Sequence, residues 1–264
     1  MGLKDWLARF GGKGGGASAS DDKAPKEQAA RPNLGNKALK KQAARLVNPN
    51  VQHEDRLRAA DILVDMGTED AYLALLARYD MVLEKGYMDQ DEKVYVRDLL
   101  VERGEETIGA IKRFMKESIN VNWPQRILSN ILEDDEKVLG HVLEVLEAER
   151  DGGDMKGEKR ARLLQLLIQY QDARIIPAVL PFLDDFSEEV RFKAVEVLDM
   201  QEDPSVCAPL VKALIRPEED SVRVRHRMLE ILARHRWPLG EYRDAVEAIL
   251  PDEFILEGEI VVRT

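Results

Sequence analysis

Apolar residues recur along this 264-residue chain at the three-to-four spacing of helices, and acidic, glycine or proline breaks interrupt them at short, regular intervals. The clearest unit is SEEVRFKAVEVLDMQEDPSVCAPLVKALI, Ser187 to Ile215. Val190, Ala194, Val197 and Leu198 form the stripe of a first helix, and Val206, Leu210, Ala213 and Leu214 that of a second. Between them, Asp203 and Pro204 mark a turn and a new start, because proline is tolerated in a first helical turn, where its missing N–H has no intrahelical partner to lose.

The same unit recurs about 34 residues later, with Val224, Arg225, Met228 and Leu232 on Val190, Arg191, Ala194 and Leu198, and with Pro238 on Pro204. It recurs 31 residues earlier, with Asp172 on Asp203, Ile175 on Val206 and Leu183 on Leu214. Upstream, EDRLRAADILVDMGTEDAYLALLARY, DEKVYVRDLLVERGEETIGAIKRFM and PQRILSNILEDDEKVLGHVLEVL each read as two striped helices around a short break. About six helix pairs follow, preceded by a lone helix from Asn36 to Val47. A pair of this length cannot bury its own apolar face, whereas pairs stacked side by side bury a continuous core. The predicted class is therefore all-α, an α-solenoid over residues 36–250. The stretch FILEGEIVVRT breaks the helical period, and Phe254–Leu256 and Ile260–Val262 read as a hairpin around Glu257-Gly258-Glu259. We expect residues 251–264 to cap the apolar end of the last repeat; a strand offered to a partner's sheet edge is the alternative.

Where Val190-Arg191, Ala194 and Leu198 align with Val224-Arg225, Met228 and Leu232, the chain resembles the HEAT-like repeat family, including the variety named for phycobilin lyases. Asp185 ahead of Val190-Arg191 suits that resemblance, which implies ladders of acidic and arginine side chains between repeats. The likeness covers residues 156–250; before Lys137, Arg97 or Arg126 only loosely occupy the arginine position. These motifs are structural, so the resemblance implies a fold and a binding style, not a reaction.

At the other end, residues 1–10 place Leu3, Trp6, Leu7 and Phe10 on one helical face. Residues 11–35 are Gly, Ser, Ala, Lys, Asp and Pro with almost no apolar side chains, the composition of a flexible tether with a reach of about 25–30 Å. Ten residues make a marginal helix in isolation, so the tip is expected to fold on contact. A groove on a protein partner is the first expected receptor, an anionic membrane surface met through residues 1–13 the second, and the chain's own acidic body the third.

Composition adds an asymmetry. The chain carries a net charge of −11, yet through Arg45 ten Lys and Arg face four Asp and Glu, leaving 29 basic against 46 acidic residues beyond. An acidic body wearing a basic arm repels phosphate backbones, so nucleic acid is an unfavoured partner. The single cysteine, Cys207, sits in an apolar helical stretch as a core residue. No run is long and apolar enough to span a bilayer, and Asp5 and Arg9 interrupt what a secretory signal needs, so a cytoplasmic protein with at most peripheral membrane contact is expected.

Catalytic constellations are missing from the pattern. His53, His141, His226 and His235 stand at no metal-ligand spacing, so no metal or cofactor is expected, and His226 and His235 read as solvent-facing. Deoxyhypusine hydroxylases, built on similar repeats, use several His-Glu pairs where this chain has only His53-Glu54. DNA glycosylases of the HEAT-like type need a continuous basic track, and a phycobilin-lyase-like accessory role needs a pigment pocket; neither is legible. Trp123 and Trp237, each before a proline, read as wedges between helices. The strongest charge feature is the run Arg223, Arg225, Arg227, Arg234 and Arg236, continued by Arg243, which either holds an acidic peptide or phosphates, or is neutralised by Glu218, Glu219, Asp220, Glu230 and Glu241. The expected function is a non-enzymatic scaffold for a protein partner, with Leu3, Trp6, Leu7, Phe10 and that arginine run as contact residues. A nucleic-acid binder is the rival.

Overall fold

A computed structural model describes residues 34–150 and 156–264. The expected docking helix with Leu3, Trp6, Leu7 and Phe10, and the tether after it as far as residue 33, lie outside the described residues. The described chain is helical apart from one two-stranded antiparallel sheet, and it forms two compact units that meet in sequence at Phe114 and Met115.

The first unit opens with α1 (Leu34–Leu46), the lone helix the pattern predicts, and continues with α2 (His53–Asp65), α3 (Glu69–Leu76) and α4 (Gly86–Arg103). Gly67, at φ +61°, ends α2 in a conformation that glycine adopts without steric cost. Thr68 Oγ1 then accepts from Ala71 N at 3.3 Å, and Glu69 and Asp70 sit in the positive first turn of α3. Leu39, Ala43 and Leu46 of α1 pack on Ala59, Ala60 and Leu63 of α2 and on the almost wholly buried face of α3. Helix α5 (Ile108–Glu117) crosses the boundary between the units.

The second unit runs through α6 (Asn122–Leu132), α7 (Asp135–Glu149), α8 (Glu158–Leu167), α9 (Ile175–Val179), α10 (Glu188–Asp199), α11 (Cys207–Ile215), α12 (Val222–His235) and α13 (Arg243–Glu247). Its helices alternate between two rows. The first helices α8, α10 and α12 pack on one another in sequence, and so do the second helices α7, α9, α11 and α13, with the 3-10 turn Leu180–Asp184 extending α9. Val190, Ala194, Val197 and Leu198 are fully buried, as are Val206, Leu210 and Leu214, and Val224, Met228 and Leu232. Each large side chain so buried contributes about 1.5–3 kcal/mol relative to exposure. These are the stripes the sequence predicts, closed by the neighbouring repeat.

The second helices depart from the pattern where prolines stand. Pro181 lacks the N–H an α-helix needs there, and α9 tightens into 3-10 geometry. Pro204 opens the 3-10 turn Pro204–Val206, with Asp203 accepting from Ser205 N at 2.8 Å, as predicted. Pro238 does not start a helix, contrary to its alignment: it lies in a non-helical link, and helical structure resumes with the 3-10 turn Gly240–Tyr242. The link is tied to the hairpin by Leu239 N donating to Glu259 O at 2.8 Å.

That hairpin is β1 (Phe254–Glu257) and β2 (Ile260–Arg263), in register Phe254↔Arg263 through Glu257↔Ile260, with Gly258 at φ +66° in the turn. Phe254 and Val261 are buried, and β2 packs on α12. The hairpin therefore covers the last first-row helix. Among the described residues, no helix is long and apolar enough to cross a membrane.

Candidate interaction surface

The arginine ladder expected between repeats is present and sets the register of the surface. Arg160 of α8 pairs with Asp185, which precedes α10, at 2.8 Å. One repeat on, Arg191 of α10 grips Glu219, which precedes α12, through Nε at 2.8 Å and Nη2 at 3.0 Å. Both carboxylates also hold the turn that starts the next helix, Asp185 through Ser187 N at 2.8 Å and Glu219 through Ser221 N at 3.1 Å. Glu219 is fully buried, and the bidentate pairing gives its charge the partner that burial demands. Arg225 stands at the equivalent position in α12, and its side-chain Nε is buried without a hydrogen-bond partner among the described residues.

A second charge centre joins α10 to α12. Asp199, buried at the end of α10, accepts from Arg227 at 2.9 Å and Arg234 at 2.7 Å, and bonds His235 Nε2 at 2.8 Å. His235 also stacks on the buried Trp237, with ring centroids 4.4 Å apart. It is thus tucked against a carboxylate and an indole rather than solvent-facing, because Asp199 needs donors and α12 ends beside it. Half-buried His226 lies edge-on to Phe254 and 3.1 Å from Glu253. Cys207 is buried, as expected, and burial pushes its thiol up from the ordinary range.

The members of the arginine run separate accordingly. Arg223 pairs with Glu189 at 2.9 Å and lies over the Phe192 ring at 3.7 Å. Arg227 and Arg234 converge on Asp199, and Arg236, in the left-handed turn after α12, reaches Glu257 at 3.4 Å. Arg243 pairs with Asp244 and Glu247 on its own short helix. The carboxylates that meet the run are mostly Glu189, Asp199 and Glu257, and of the five expected from nearby sequence only Glu230 meets an arginine of the run, Arg227, at 3.3 Å.

Three accessible grooves of this unit lie along the first row of helices. One groove between α8 and α10 is bordered by Arg162 and Lys193; a second, of about 500 Å³, lies between α10 and α12 along Phe192, Val222 and Arg223; a third lies between α12 and β2 beside Arg234 and Arg263. Together their walls hold seven Lys and Arg against three Glu, on a chain whose net charge is negative. Val222 is 80% exposed although apolar, and stands at the mouth of the middle groove. Sequence reasoning missed Arg162, Lys193 and Arg263 because they lie far from the arginine run in the chain. The signal was there in the repeat register, which puts Arg162, Lys193 and Arg227 at one equivalent position.

Among the described residues, no group of His, Cys, Asp and Glu is arranged to hold a metal ion. Residues 141–230 match the family model of HEAT repeats. The match runs from His141 in α7 to Glu230 in α12 and takes in the two-row packing and both ladder pairs. No curated protein and no solved structure gives a match.

Proposed function

We propose that this protein is a non-enzymatic scaffold of the HEAT-repeat kind, which docks a protein partner along the first-row helices α8, α10 and α12. The observation that carries the reading is the wall of basic grooves on an otherwise acidic chain. Helix pairs that bury each other's apolar stripes leave each row of helices exposed along its outer side, a continuous surface that a partner can follow. The tip residues Leu3, Trp6, Leu7 and Phe10 supply a second, reversible attachment to a partner or to an anionic membrane surface, and the setting is the cytoplasm.

Affinity capture with the full chain and with a form lacking residues 1–12, alongside cosedimentation with anionic liposomes, tests both parts. A defined partner retained by both forms, with weaker retention by the shortened one, is expected. Capture of no partner by either form overturns the scaffold; identical behaviour in both assays overturns the tip's role. The rival is a nucleic-acid binder, favoured by the same basic grooves and opposed by the net charge of −11. Duplex DNA retained at physiological salt would decide for it.

A further inference from the structure

Resting on the scaffold reading, we infer that the partner presents an acidic polypeptide segment that crosses α8, α10 and α12, read by a row of one basic side chain per repeat. Arg162, Lys193 and Arg227 occupy the same position of three successive first-row helices. Because α8, α10 and α12 pack directly on one another, equivalent side chains recur at the spacing of packed helices, about 8–10 Å. That pitch matches every third residue of a polyproline II segment, which has three residues per turn at about 3.1 Å each and so sets them on one side. A polypeptide with carboxylates at that interval meets one cation per repeat.

Two of the row's three charges have internal partners of a kind that can yield, whereas Arg227 shares the buried Asp199 with Arg234, two cations on one carboxylate. Arg162 pairs with Glu158 and Lys193 with Glu196, each within its own helix at an accessible surface. Such pairs contribute little, so an arriving carboxylate can share or replace them. The neighbouring position changes sign along the stack, from Glu158 and Glu189 to Arg223, and Arg234 and Arg263 add positive charge beyond it. Attraction therefore grows toward α12, which orients the segment. At that end the 80%-exposed Val222 and the ring of Phe192 border the middle groove, a seat for one apolar side chain among the acids.

Charge also favours a short segment over a nucleic acid. A long polyanion extends past the row into the field of a strongly acidic chain, whereas a peptide that ends with the row does not. Arg236 and Arg243 fall outside these grooves and are committed to Glu257 and to α13, so the surface differs from the contiguous arginine run of the sequence.

The test uses the full chain and a fluorescent peptide of six Glu-Gly-Ser repeats, with a peptide of the same composition carrying its glutamates in one block, and an oligo-deoxythymidine of equal charge. Anisotropy should show the spaced peptide binding more tightly than the blocked one, with affinity falling as salt rises. Because Arg227 also holds the buried Asp199, its neighbour Arg223 is changed in its place: the triple variant Arg162→Ala, Lys193→Ala, Arg223→Ala should lose about tenfold or more, while Lys137→Ala, Arg150→Ala, Lys212→Ala, taken from other surfaces of the same unit, should change by less than about twofold. Should the triple variant unfold, the exposed single change Arg263→Glu keeps the test, with a loss of several-fold expected. Equal loss in both triple variants, no preference for the spaced peptide, or tighter binding of oligo-deoxythymidine overturns the inference. If a partner captured by the wild type is held equally by the row variant, the inference falls and the scaffold stands. If no form captures a partner, the scaffold itself falls, whatever the peptide does.

Discussion

Glu92 in the first unit and Asp199 in the second are both buried carboxylates, each gathering two arginines and one histidine, yet they are built for different ends. Glu92 receives Arg56 Nε at 3.0 Å, Arg78 Nε at 2.9 Å and His53 Nδ1 at 2.7 Å, and both arginines are as buried as the acid. Arg56 also donates to Val51 O, and Arg78 to Met81 O and Asp89, so the cluster ties α2, the segment after α3, and α4 into one piece. Burial pushes the Glu92 carboxyl up, but hydrogen bonds from Arg56, His53 and Arg78 outweigh it and hold the group below its ordinary value. At Asp199 the acid is equally hidden but Arg234 is 54% exposed, and Arg227 and Arg234 both border the groove against β2. The first centre closes its charges inward and the second delivers them to the surface. Whether a buried acid is a lock or a mount depends on where its cations end.

Glu92→Gln leaves Arg56 and Arg78 buried without a full counter-charge and should cost about 3–5 kcal/mol, read by denaturant unfolding. A loss of under 1 kcal/mol would show that water reaches the cluster. Packing alone gives the next largest effect: at Gly157, φ is +66°, and an added Cβ would strike the Val190 methyl and lie 2.9 Å from Ser187 Cβ. Gly157→Ala should therefore cost about 2–3 kcal/mol. Asp199→Asn should cost less than Glu92→Gln, about 1–2 kcal/mol, since Arg234 can turn to water. Equal losses at the two acids would erase the distinction between them.

Acid sharpens the same contrast. Because the folded values of Glu92 and its neighbour Asp89 are lowered, their stabilisation is in place above the ordinary carboxylate range and drains away as pH falls below about 4 through those lowered values. Unfolding free energy measured from pH 7 to 3 should fall in the wild type and fall less in Glu92→Gln. The smallest effect is expected at the surface: Phe192→Ala removes the ring under Arg223 and should cost about 1 kcal/mol or less, because the pairing of Arg223 with Glu189 remains.

Much of this was legible beforehand, for a physical reason. Repeat units must each show the same apolar stripe to their neighbours, so Val190, Ala194 and Leu198 and their equivalents carry the stacking in their spacing, and Glu257-Gly258-Glu259 carries the hairpin turn. The two acid centres were less visible. In α4 the buried positions are Glu92, Val96 and Leu100, so a carboxylate standing in the apolar stripe was the signal. Nothing in the spacing said that Arg78, within the 3-10 turn Ala77–Asp80 after α3, would reach it. Pro238 shows the reverse error: its alignment with Pro204 promised a helix start, but the hairpin bonded the adjacent backbone instead.

By itself the sequence determined the helical class, the stacking of the repeats around Ser187–Ile215 and the closing hairpin, because these follow from local periodicity and from apolar faces that one pair cannot bury alone. Tertiary structure decided which charges meet. An ion pair is chosen by distance in space and by how much water its neighbours exclude, and neither is written in the spacing along a chain. That is why the contiguous arginines dispersed into separate pairings while Arg162, Lys193 and Arg227, far apart in the sequence, came to stand at one position of three adjoining helices.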